Sequence, residues 1–475
     1  RQRRRARPQP LVLSPGLARL QSLLEAFMLV HAPPDPHKPP APEAPPRATT
    51  PEAGAEAWVE FAERHRKALN SYLRQDKGLG QGASALACLL GLPRLVDFDN
   101  KKAYFRAELK RRSAGQRFPS LRISVRREVV LEDSYHQMAL RRPDELKGRL
   151  HVTFQGEEGV DAGGLSREWY LSISKQMLDP DKALFLPSAN GLTFQPNPAS
   201  AIQPDHLGYL RFAGQVVGKA LWDEQLLDAH FTLSLYKHLL NQPIEVKDVE
   251  SIDPEYYRNL GWMLDNDITG VLDETFSIVR EQFGEMLVID LKPGGRHEAV
   301  TELNKHEYVR LVAEQVMTKG IGEQVEAVKK GFHEMIPPEL ISMFSPQELE
   351  LLLCGLPSID VDDLRANTDY TGYSRDSTQI QWFWTVVQAL SQEDLARLVQ
   401  FVTGTSQVPM EGFQALRGMN GPQKFNIHRC GDSGRLPSSH TCFNQLDLPE
   451  YPSLEVLQRC LLAAIREGFE GFGFS

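Results

Sequence analysis

Apolar and polar residues follow different patterns along the chain, and these patterns separate its regions. Residues 31–47, HAPPDPHKPPAPEAPPR, are dense in proline and run into small polar residues up to about residue 55. This composition predicts an extended linker, so residues 1–55 are interpreted as a low-complexity, proline-rich linker region. The segments AWVEFAERHRKALNSYLRQ and NKKAYFRAELKRR then carry apolar residues at helical spacing, which predicts a helical extension over 56–117.

The pattern changes near residue 118, where the alternating runs LRISVRREVV and GRLHVTFQG predict strands. Helical spacing dominates from there to the apolar run ELELLL. The next segment, CGLPSID at 354–360, contains a glycine and a proline and predicts a connector. Beyond it the sequence predicts helices at IQWFWTVVQAL, EDLARLVQFV and the C-terminal apolar stripe, and strands at KFNIH and HTCF. This mixture indicates an α+β fold.

Charge and hydropathy narrow the class of protein. The chain has 475 residues and a formal net charge of −9, and its strongest basic run is RQRRRAR at residues 1–7. We interpret that run as a solvated tail rather than a site for an acidic partner, and nucleic-acid binding is not predicted. No apolar run reaches the roughly 20 residues of a membrane span, and no secretory signal pattern is present. We therefore expect a cytoplasmic or nuclear protein without membrane contact, and a piece of a longer or processed chain because it begins at Arg1.

The cysteines do not form a metal or disulfide pattern. There are five, and none forms a C-x-x-C pair or a His/Cys cluster at zinc spacing: Cys88, Cys354, Cys430, Cys442 and Cys460. Few, scattered thiols are typical of a reducing compartment. The run GQVVGKAL also lacks the spacing and the Ser or Thr of a phosphate-binding loop, so no metal and no cofactor is predicted.

The segment LPSSHTCFNQLDLP presents the first candidate for chemistry, Cys442. A lone cysteine is more often a small buried residue than a nucleophile. If SHTCF is extended, however, His440 and Cys442 share one face of the strand, since side chains two apart point the same way. A nearby imidazole can lower the pKa of a thiol or take its proton. These residues alone leave both interpretations open.

The second candidate is the glycine-rich bend FQGEEGVDAGGLSREWY, which carries Glu157, Glu158 and Asp161 ahead of a helix. Carboxylates there can act as bases, or they can accept amide hydrogens at the helix start. Local pattern favours the second, structural interpretation.

Several segments together resemble a HECT-type ubiquitin ligase. They are QGEEGVDAGGLSREWY, QIQWFW, VQFVTGTSQVPMEGF, LPSSHTCFNQLDLPEYPS and the ending EGFGFS. The resemblance covers roughly residues 100–475 in the order and at the spacing of that family. Within the family, the sequence is similar to the large Mule-type and plant ubiquitin-protein ligases.

The resemblance implies a bilobal protein. A larger, mainly helical N-terminal lobe over 118–355 is joined by a short hinge at 355–359 to a smaller α/β C-terminal lobe over 356–475. Cys442 matches the position of the nucleophile that carries ubiquitin as a thioester. The implied partners are ubiquitin, a ubiquitin-conjugating enzyme and protein substrates.

The resemblance also implies roles for residues near the nucleophile. Asp161 from the first lobe matches a carboxylate that acts on the acceptor lysine, with Glu157 and Glu158 as neighbours. His440 and Thr441 lie beside the nucleophile. Phe472 matches a C-terminal phenylalanine that places the two lobes for attack by lysine.

The remaining implied contacts concern partners. A conjugating-enzyme subdomain at about 258–335 would use Leu272, Tyr308 and Val312, although spacing alone makes the last two a core stripe. Some relatives bind a second ubiquitin through a tyrosine-bearing NPYYGLF-like segment. This sequence reads DPDKALF there, with Asp181 and Lys182 in place of the aromatics, so that exosite is expected to be altered.

Two rival functions stay open at this stage. Another thiol enzyme, such as a ubiquitin-specific protease or thioesterase, would need a His and an Asn or Asp around the Cys as a triad, and no signature of such a family is recognised. A silent adaptor would only bind conjugating enzymes, and the intact Cys442 and Phe472 argue against it.

Overall fold

The computed structural model describes residues 59–75, 93–157, 164–282, 284–355, 358–404, 406, 408, 412–418, 421–431 and 434–467. The linker region 1–55 and the site residues Glu158, Asp161 and Phe472 lie outside these described residues. Helices and strands are mixed along the chain, as the α+β prediction requires. Within the described part, none of the helices combines the length and the apolar character that crossing a membrane requires.

The described helices are numbered here along the chain: α1 Arg66–Gln75, α2 Phe98–Ser113, α3 Val130–Met138, α4 Pro143–Leu146, α5 Gly164–Met177, α6 His206–Trp222, α7 Leu233–Leu239, α8 Pro254–Asp265, α9 Lys305–Met317, α10 Gly322–Met335, α11 Pro338–Ile341, α12 Pro346–Cys354, α13 Val361–Ala366, α14 Thr378–Ala389, α15 Gln392–Thr403 and α16 Leu454–Glu467.

The described strands are numbered in the same way: β1 Leu121–Val125, β2 Leu150–Phe154, β3 Phe185–Pro187, β4 Phe194–Pro196, β5 Ser277–Gln282, β6 Glu285–Asp290, β7 Thr368–Thr371, β8 Arg417–Gly418, β9 Gly421–Pro422, β10 Phe425–Cys430, β11 Ser438–His440 and β12 Gln445–Pro449.

The chain divides into two compact units, and the first contains Arg1–Gln116 and Glu339–Phe344. Phe344 packs edge-on against two rings of α2, Phe98 and Phe105, with ring centroids 6.2 and 5.8 Å away. Asn70 of α1 and Asn100 of α2 share a buried amide hydrogen bond of 2.8 Å. Aromatic burial and a satisfied polar pair therefore hold the described part of this unit together.

The second unit contains Arg117–Pro338 and Ser345–Ser475, and its scaffold depends on a close contact between α6 and α10. A Cβ added at Gly214 would lie 1.9 Å from the carbonyl oxygen of Val328, and one at Gly331 would lie 1.8 Å from the carbonyl oxygen of Arg211. The two helices therefore touch backbone to backbone. Only glycine permits this approach, since any Cβ would overlap the facing helix.

A smaller core lies between α8 and α9 in the same unit. Phe276 and Tyr308 meet edge-on with ring centroids 5.7 Å apart, and Val249, Leu260 and Val312 belong to the same buried cluster. The antiparallel hairpin of β5 and β6 extends from this core. Because Val249, Ile252 and Leu260 are buried in this core, the core anchors the backbone between residues 249 and 260.

The C-terminal part of the unit contains a four-stranded sheet in the order β11, β12, β10, β7. β10 pairs in parallel with both β7 and β12, whereas β11 is antiparallel to β12 and forms one edge. Fully buried residues alternate along the inner strands, with Phe425 and Ile427 on β10 and Leu446 and Leu448 on β12. The strand predicted at KFNIH is thus confirmed as β10, and the sheet presents the β11–β12 connection at its edge.

We expect Gly331→Ala to lower the free energy of unfolding by about 2 kcal/mol, because overpacking a tight contact typically costs about 1–3 kcal/mol. Urea denaturation followed by circular dichroism measures the change. Gly261→Ala on α8 is the matched control, since a Cβ there meets no atom within 4 Å and alanine is the better helix former. Equal urea midpoints for Gly331→Ala and the parent would contradict the backbone contact.

Candidate active site

Cys442 lies in a tight turn between two antiparallel strands. β11 ends at His440, a single 3₁₀ turn covers Thr441–Phe443, and β12 begins at Gln445, which pairs with His440. The strand predicted around HTCF therefore ends at His440, and the condition that SHTCF is extended throughout is not met. Because the strand stops before Cys442, the two-residue alternation that placed His440 and Cys442 on one face does not apply.

Asn444 closes this turn in the left-handed region, with φ of +47°. It is buried, its side-chain amide donates to the carbonyl oxygen of Gln423 at 2.8 Å, and its own carbonyl accepts from the amide of Asn426 at 2.8 Å. Asparagine tolerates this conformation better than most residues. Sequence reasoning missed Asn444, and its position between two extended runs was the available signal.

Asp447 on β12 joins two histidines beneath the turn. Its Oδ2 lies 2.9 Å from His440 Nε2, its Oδ1 lies 2.9 Å from His428 Nδ1, and Gln445 Nε2 donates to Oδ1 at 2.7 Å. Since a carboxylate can only accept, the imidazole nitrogens that face it carry the protons. A neutral His440 is therefore held as the Nε2–H tautomer with Nδ1 unprotonated. Sequence reasoning missed Asp447, although its period-two relation to Gln445 on β12 was visible.

Thr441 contacts a residue that precedes the predicted hinge. Its hydroxyl donates to Glu250 Oε1 at 3.2 Å. Burial raises the pKa of the Glu250 carboxyl above its usual range, and the Thr441 hydrogen bond and the His440 charge oppose that rise. Glu250 was not among the predicted site residues, because nothing local to ESIDPEYY marks it for the active site.

The carboxylates of the glycine-rich bend are held by Arg127. Its guanidinium donates to Glu157 Oε2 at 2.8 Å and to Glu168 Oε1 at 2.6 Å, and it lies 4.2 Å from the ring centroid of Phe154. This hydrogen bonding lowers the pKa of the Glu157 carboxyl, which favours its ionised form. Glu157 is thus an ion-pair partner at the start of the bend, whereas Glu158 and Asp161 lie outside the described residues.

The residues proposed to contact a conjugating enzyme do not form one surface. Tyr308 and Val312 on α9 are only 5% and 0% exposed, and they pack in the core with Phe276. Leu272 is half-buried against the same core. The burial of Tyr308 and Val312 is in keeping with the core-stripe interpretation.

An exposed apolar face lies nearby on the hairpin of β5 and β6. Val279, Met286 and Val288 are 58%, 67% and 44% exposed. Val279 pairs with Val288, and Met286 pairs with Glu281 two residues further along β5, so these side chains share one face of the hairpin. Alternation of apolar and polar residues in a strand usually indicates that the apolar face is buried. The sequence therefore gave no prediction of an exposed apolar face here.

The connector predicted at 354–360 begins at Gly355, where α12 ends. Gly355 has φ of +81°, and a Cβ there would lie 2.7 Å from Leu226 Cδ1. Its successors Leu356 and Pro357 lie outside the described residues, and beyond them the amide of Ile359 donates to Gln392 Oε1 at 2.8 Å. The backbone angle favours glycine at this position, since other residues rarely adopt it.

The described residues contain no group of three or more His, Cys, Asp or Glu side chains placed to hold a metal ion.

Comparison with known proteins assigns the family. The family model for the HECT-domain (ubiquitin-transferase) matches residues 171–475. The chain is 53% identical over 430 residues to E3 ubiquitin-protein ligase UPL1 of Arabidopsis thaliana, a match over 89% of this chain and 12% of that protein. It is 49% identical over 424 residues to E3 ubiquitin-protein ligase HUWE1 of Mus musculus, over 88% of this chain and 10% of that protein.

The fold, the turn that carries Cys442 and these matches define a member of the HECT-domain family, and the chain belongs to that family. The resemblance drawn from the motifs is thereby confirmed, including the likeness to plant ligases. The chain spans only about a tenth of the length of the curated relatives named here.

We expect Asn444→Ala to be less stable than Asn444→Gly by about 1 kcal/mol. Both variants lose the hydrogen bond to Gln423, but only alanine carries the cost of a Cβ at positive φ. Urea denaturation of the two variants and the parent measures the difference. Equal stability of the two variants would show that the left-handed conformation is not what fixes the turn.

Proposed function

We propose that this chain is the catalytic part of a ubiquitin-protein ligase. It accepts ubiquitin from a conjugating enzyme as a thioester on Cys442 and passes it to a substrate lysine. The observation that carries the proposal is the place of Cys442, on a turn at the edge of a sheet and inside the residues that match the family. A turn at a sheet edge is a position that two successive protein partners can approach.

The chemistry requires two acyl transfers at one sulfur. In the first, the Cys442 thiolate attacks the thioester carbonyl, a new carbon–sulfur bond forms, and the thiolate of the conjugating enzyme leaves. One thioester replaces another, so proximity and orientation are the main contributions of the protein. In the second, a lysine amine attacks and the Cys442 thiolate leaves. Because free lysine has a pKa of about 10.4, the amine must lose a proton to an acceptor.

The two steps favour a bilobal arrangement with a hinge at residues 355–359. One sulfur must meet two partners, and rotation of a lobe that carries the sheet allows this. The positive φ of Gly355 at the end of α12 supports a change of chain direction there, and the sheet of β7, β10, β11 and β12 lies entirely beyond it. Under this proposal residues 118–355 form the larger lobe and 356–475 the smaller.

The acceptor of the lysine proton is proposed to be Asp161, with Phe472 helping to place the lobes. Support comes from the ion pairs of Arg127 with Glu157 and with Glu168, two described residues that flank Asp161 in the sequence.

We place the contact with the conjugating enzyme on the apolar face of the β5–β6 hairpin, within the subdomain proposed at about 258–335. A partner that covers these exposed apolar side chains removes them from water. The side chains then supply the apolar core that an interface needs. Leu272, Tyr308 and Val312 support this surface from beneath rather than touching the partner.

The exosite for a second ubiquitin is proposed to be altered, because Lys182 is engaged by Glu132.

The pairing of His440 with Asp447 favours one other function, that of a thiol hydrolase. A His–Asp pair close in sequence to a cysteine resembles part of a catalytic triad. The two functions differ in the fate of the acyl group, which a hydrolase gives to water and a ligase gives to an amine. Cleavage of ubiquitin from a small amide-linked amine by the parent chain, lost in Cys442→Ala, would favour the hydrolase.

We expect the chain to form a ubiquitin adduct that thiol reductant removes when it is incubated with charged conjugating enzyme. Cys442→Ala should abolish the adduct because no thiolate remains, and Cys442→Ser should give an oxygen ester that resists thiol. Gel electrophoresis with and without reductant measures both. Cys430→Ala is the matched control and should keep the adduct. An adduct that survives Cys442→Ala, or no adduct on the parent, would contradict the proposal.

We expect Met286→Asp to raise the concentration of charged conjugating enzyme needed for half-maximal adduct formation by roughly ten- to a hundred-fold. The cause is the loss of about 1.5–3 kcal/mol from burying one large apolar side chain. The rate of adduct formation at several enzyme concentrations measures this. Leu140→Asp, at a residue 96% exposed outside the hairpin, is the matched control. An equal effect of both changes would place the contact elsewhere.

A further inference from the structure

Both neighbours of Cys442 contact charged side chains from the segment 246–265. The Thr441 hydroxyl donates to Glu250 Oε1 at 3.2 Å, and the guanidinium carbon of Arg258 lies 5.9 Å from the ring centroid of Phe443. Cation–π attraction operates within about 6 Å. The residue before the nucleophile and the residue after it are thus both engaged by an element that belongs to the part of the chain before Gly355.

Glu250 occupies an enclosed place rather than an open cleft. It lines a cavity of about 20 Å³ together with Thr441, Thr403, Gly404 and Ile252, among others. A cavity of that size admits about one water molecule and no lysine side chain. Glu250 therefore acts on the turn through Thr441 and does not touch a substrate in this arrangement.

The segment that supplies these side chains is itself rigid. Val249 is fully buried next to Glu250, and Leu260 follows Arg258 in the same buried cluster. Asp253 Oδ1 accepts from the amide of Tyr256 and caps α8, so the backbone between the two contacts is fixed. A charged pair on a fixed backbone can orient the mobile partner that docks on it.

We propose that Glu250 and Arg258 form a docking seat that positions the Cys442 turn for attack by the acceptor lysine. This inference rests on the proposed function. Glu250 is a positioning residue in this seat, since it accepts a hydrogen bond from the hydroxyl of Thr441, the first residue of the turn. The seat is distinct from Asp161, the proposed proton acceptor, because it lies in a different segment of the chain.

The seat should matter more for the second transfer than for the first. During loading, the conjugating enzyme is a folded partner that supplies its own contacts around the sulfur. During discharge to a small amine, no partner orients the turn, so the orientation has to come from contacts within the chain. Loss of the seat should therefore appear as slow discharge with near-normal loading.

The test uses the 475-residue chain loaded with ubiquitin on Cys442, freed of charged conjugating enzyme and then mixed with free lysine. We expect Glu250→Ala to discharge about three- to ten-fold more slowly than the parent, as expected for loss of one hydrogen bond, while loading remains near the parent rate. Glu250→Gln should restore most of the rate, because an amide oxygen still accepts from Thr441. Arg258→Ala should slow discharge by a smaller factor.

Two controls separate positioning from a general loss of structure. Lys247→Ala changes an exposed residue of the same segment whose described partner is Glu245 at 2.9 Å, and it should leave both rates unchanged. Thr441→Val removes the hydroxyl and should reproduce Glu250→Ala, and the double variant should be no slower than either single one. Thr441→Ser keeps a hydroxyl and should recover most of the discharge rate that Thr441→Val loses.

Each outcome is decisive. Glu250→Ala that discharges at the parent rate overturns the seat, and so does a variant that loses loading and discharge by the same factor, because the role would then be structural. Glu250→Gln as slow as Glu250→Ala also overturns it, because the negative charge and not the hydrogen bond would matter. If the parent itself cannot be loaded on Cys442, the proposed function fails instead, and the two failures are therefore distinguishable.

Discussion

The left-handed backbone of Asn444 is the constraint on which the active site depends. The chain leaves β11 at His440 and returns in β12 at Gln445, so it has four residues in which to reverse. It does so through the 3₁₀ turn Thr441–Phe443 followed by Asn444 at positive φ. The buried amide of Asn444 then ties the turn to Gln423 of the neighbouring loop. The backbone of Cys442, the proposed nucleophile, is placed by this geometry.

A fixed turn is useful only if the surface it meets is also fixed. Glycine contacts between α6 and α10 bring two helices together backbone to backbone, which leaves no side-chain layer that could rearrange. The segment carrying Glu250 and Arg258 is anchored by a separate buried cluster around Val249. In the proposed reaction one sulfur meets two partners, and rigid surfaces on both sides of this contact would let the turn leave and dock again in the same register.

Sequence patterns predicted what depends on local periodicity. The α+β mixture, the strand at KFNIH and the break at Gly355 follow from residue spacing and backbone preference. The turn at Cys442 did not, because period-two reasoning cannot see that Asn444 interrupts the strand. Tyr308 shows the opposite case, since its helical spacing correctly indicated a core stripe while family likeness suggested a surface. The contact of Glu250 with Thr441 joins distant parts of the chain and depends on docking, which no local pattern encodes.

The carboxyls around the turn raise an electrostatic question, because negative charge near a cysteine opposes formation of the thiolate. The structure limits that charge in two ways. Asp447 is shared by His428 and His440, so its charge is spread over hydrogen bonds to both rings. Burial raises the pKa of the Glu250 carboxyl above its usual range, which opposes full negative charge where the turn docks. Carboxyls can thus orient the turn without placing a full uncompensated negative charge beside the residue that must ionise.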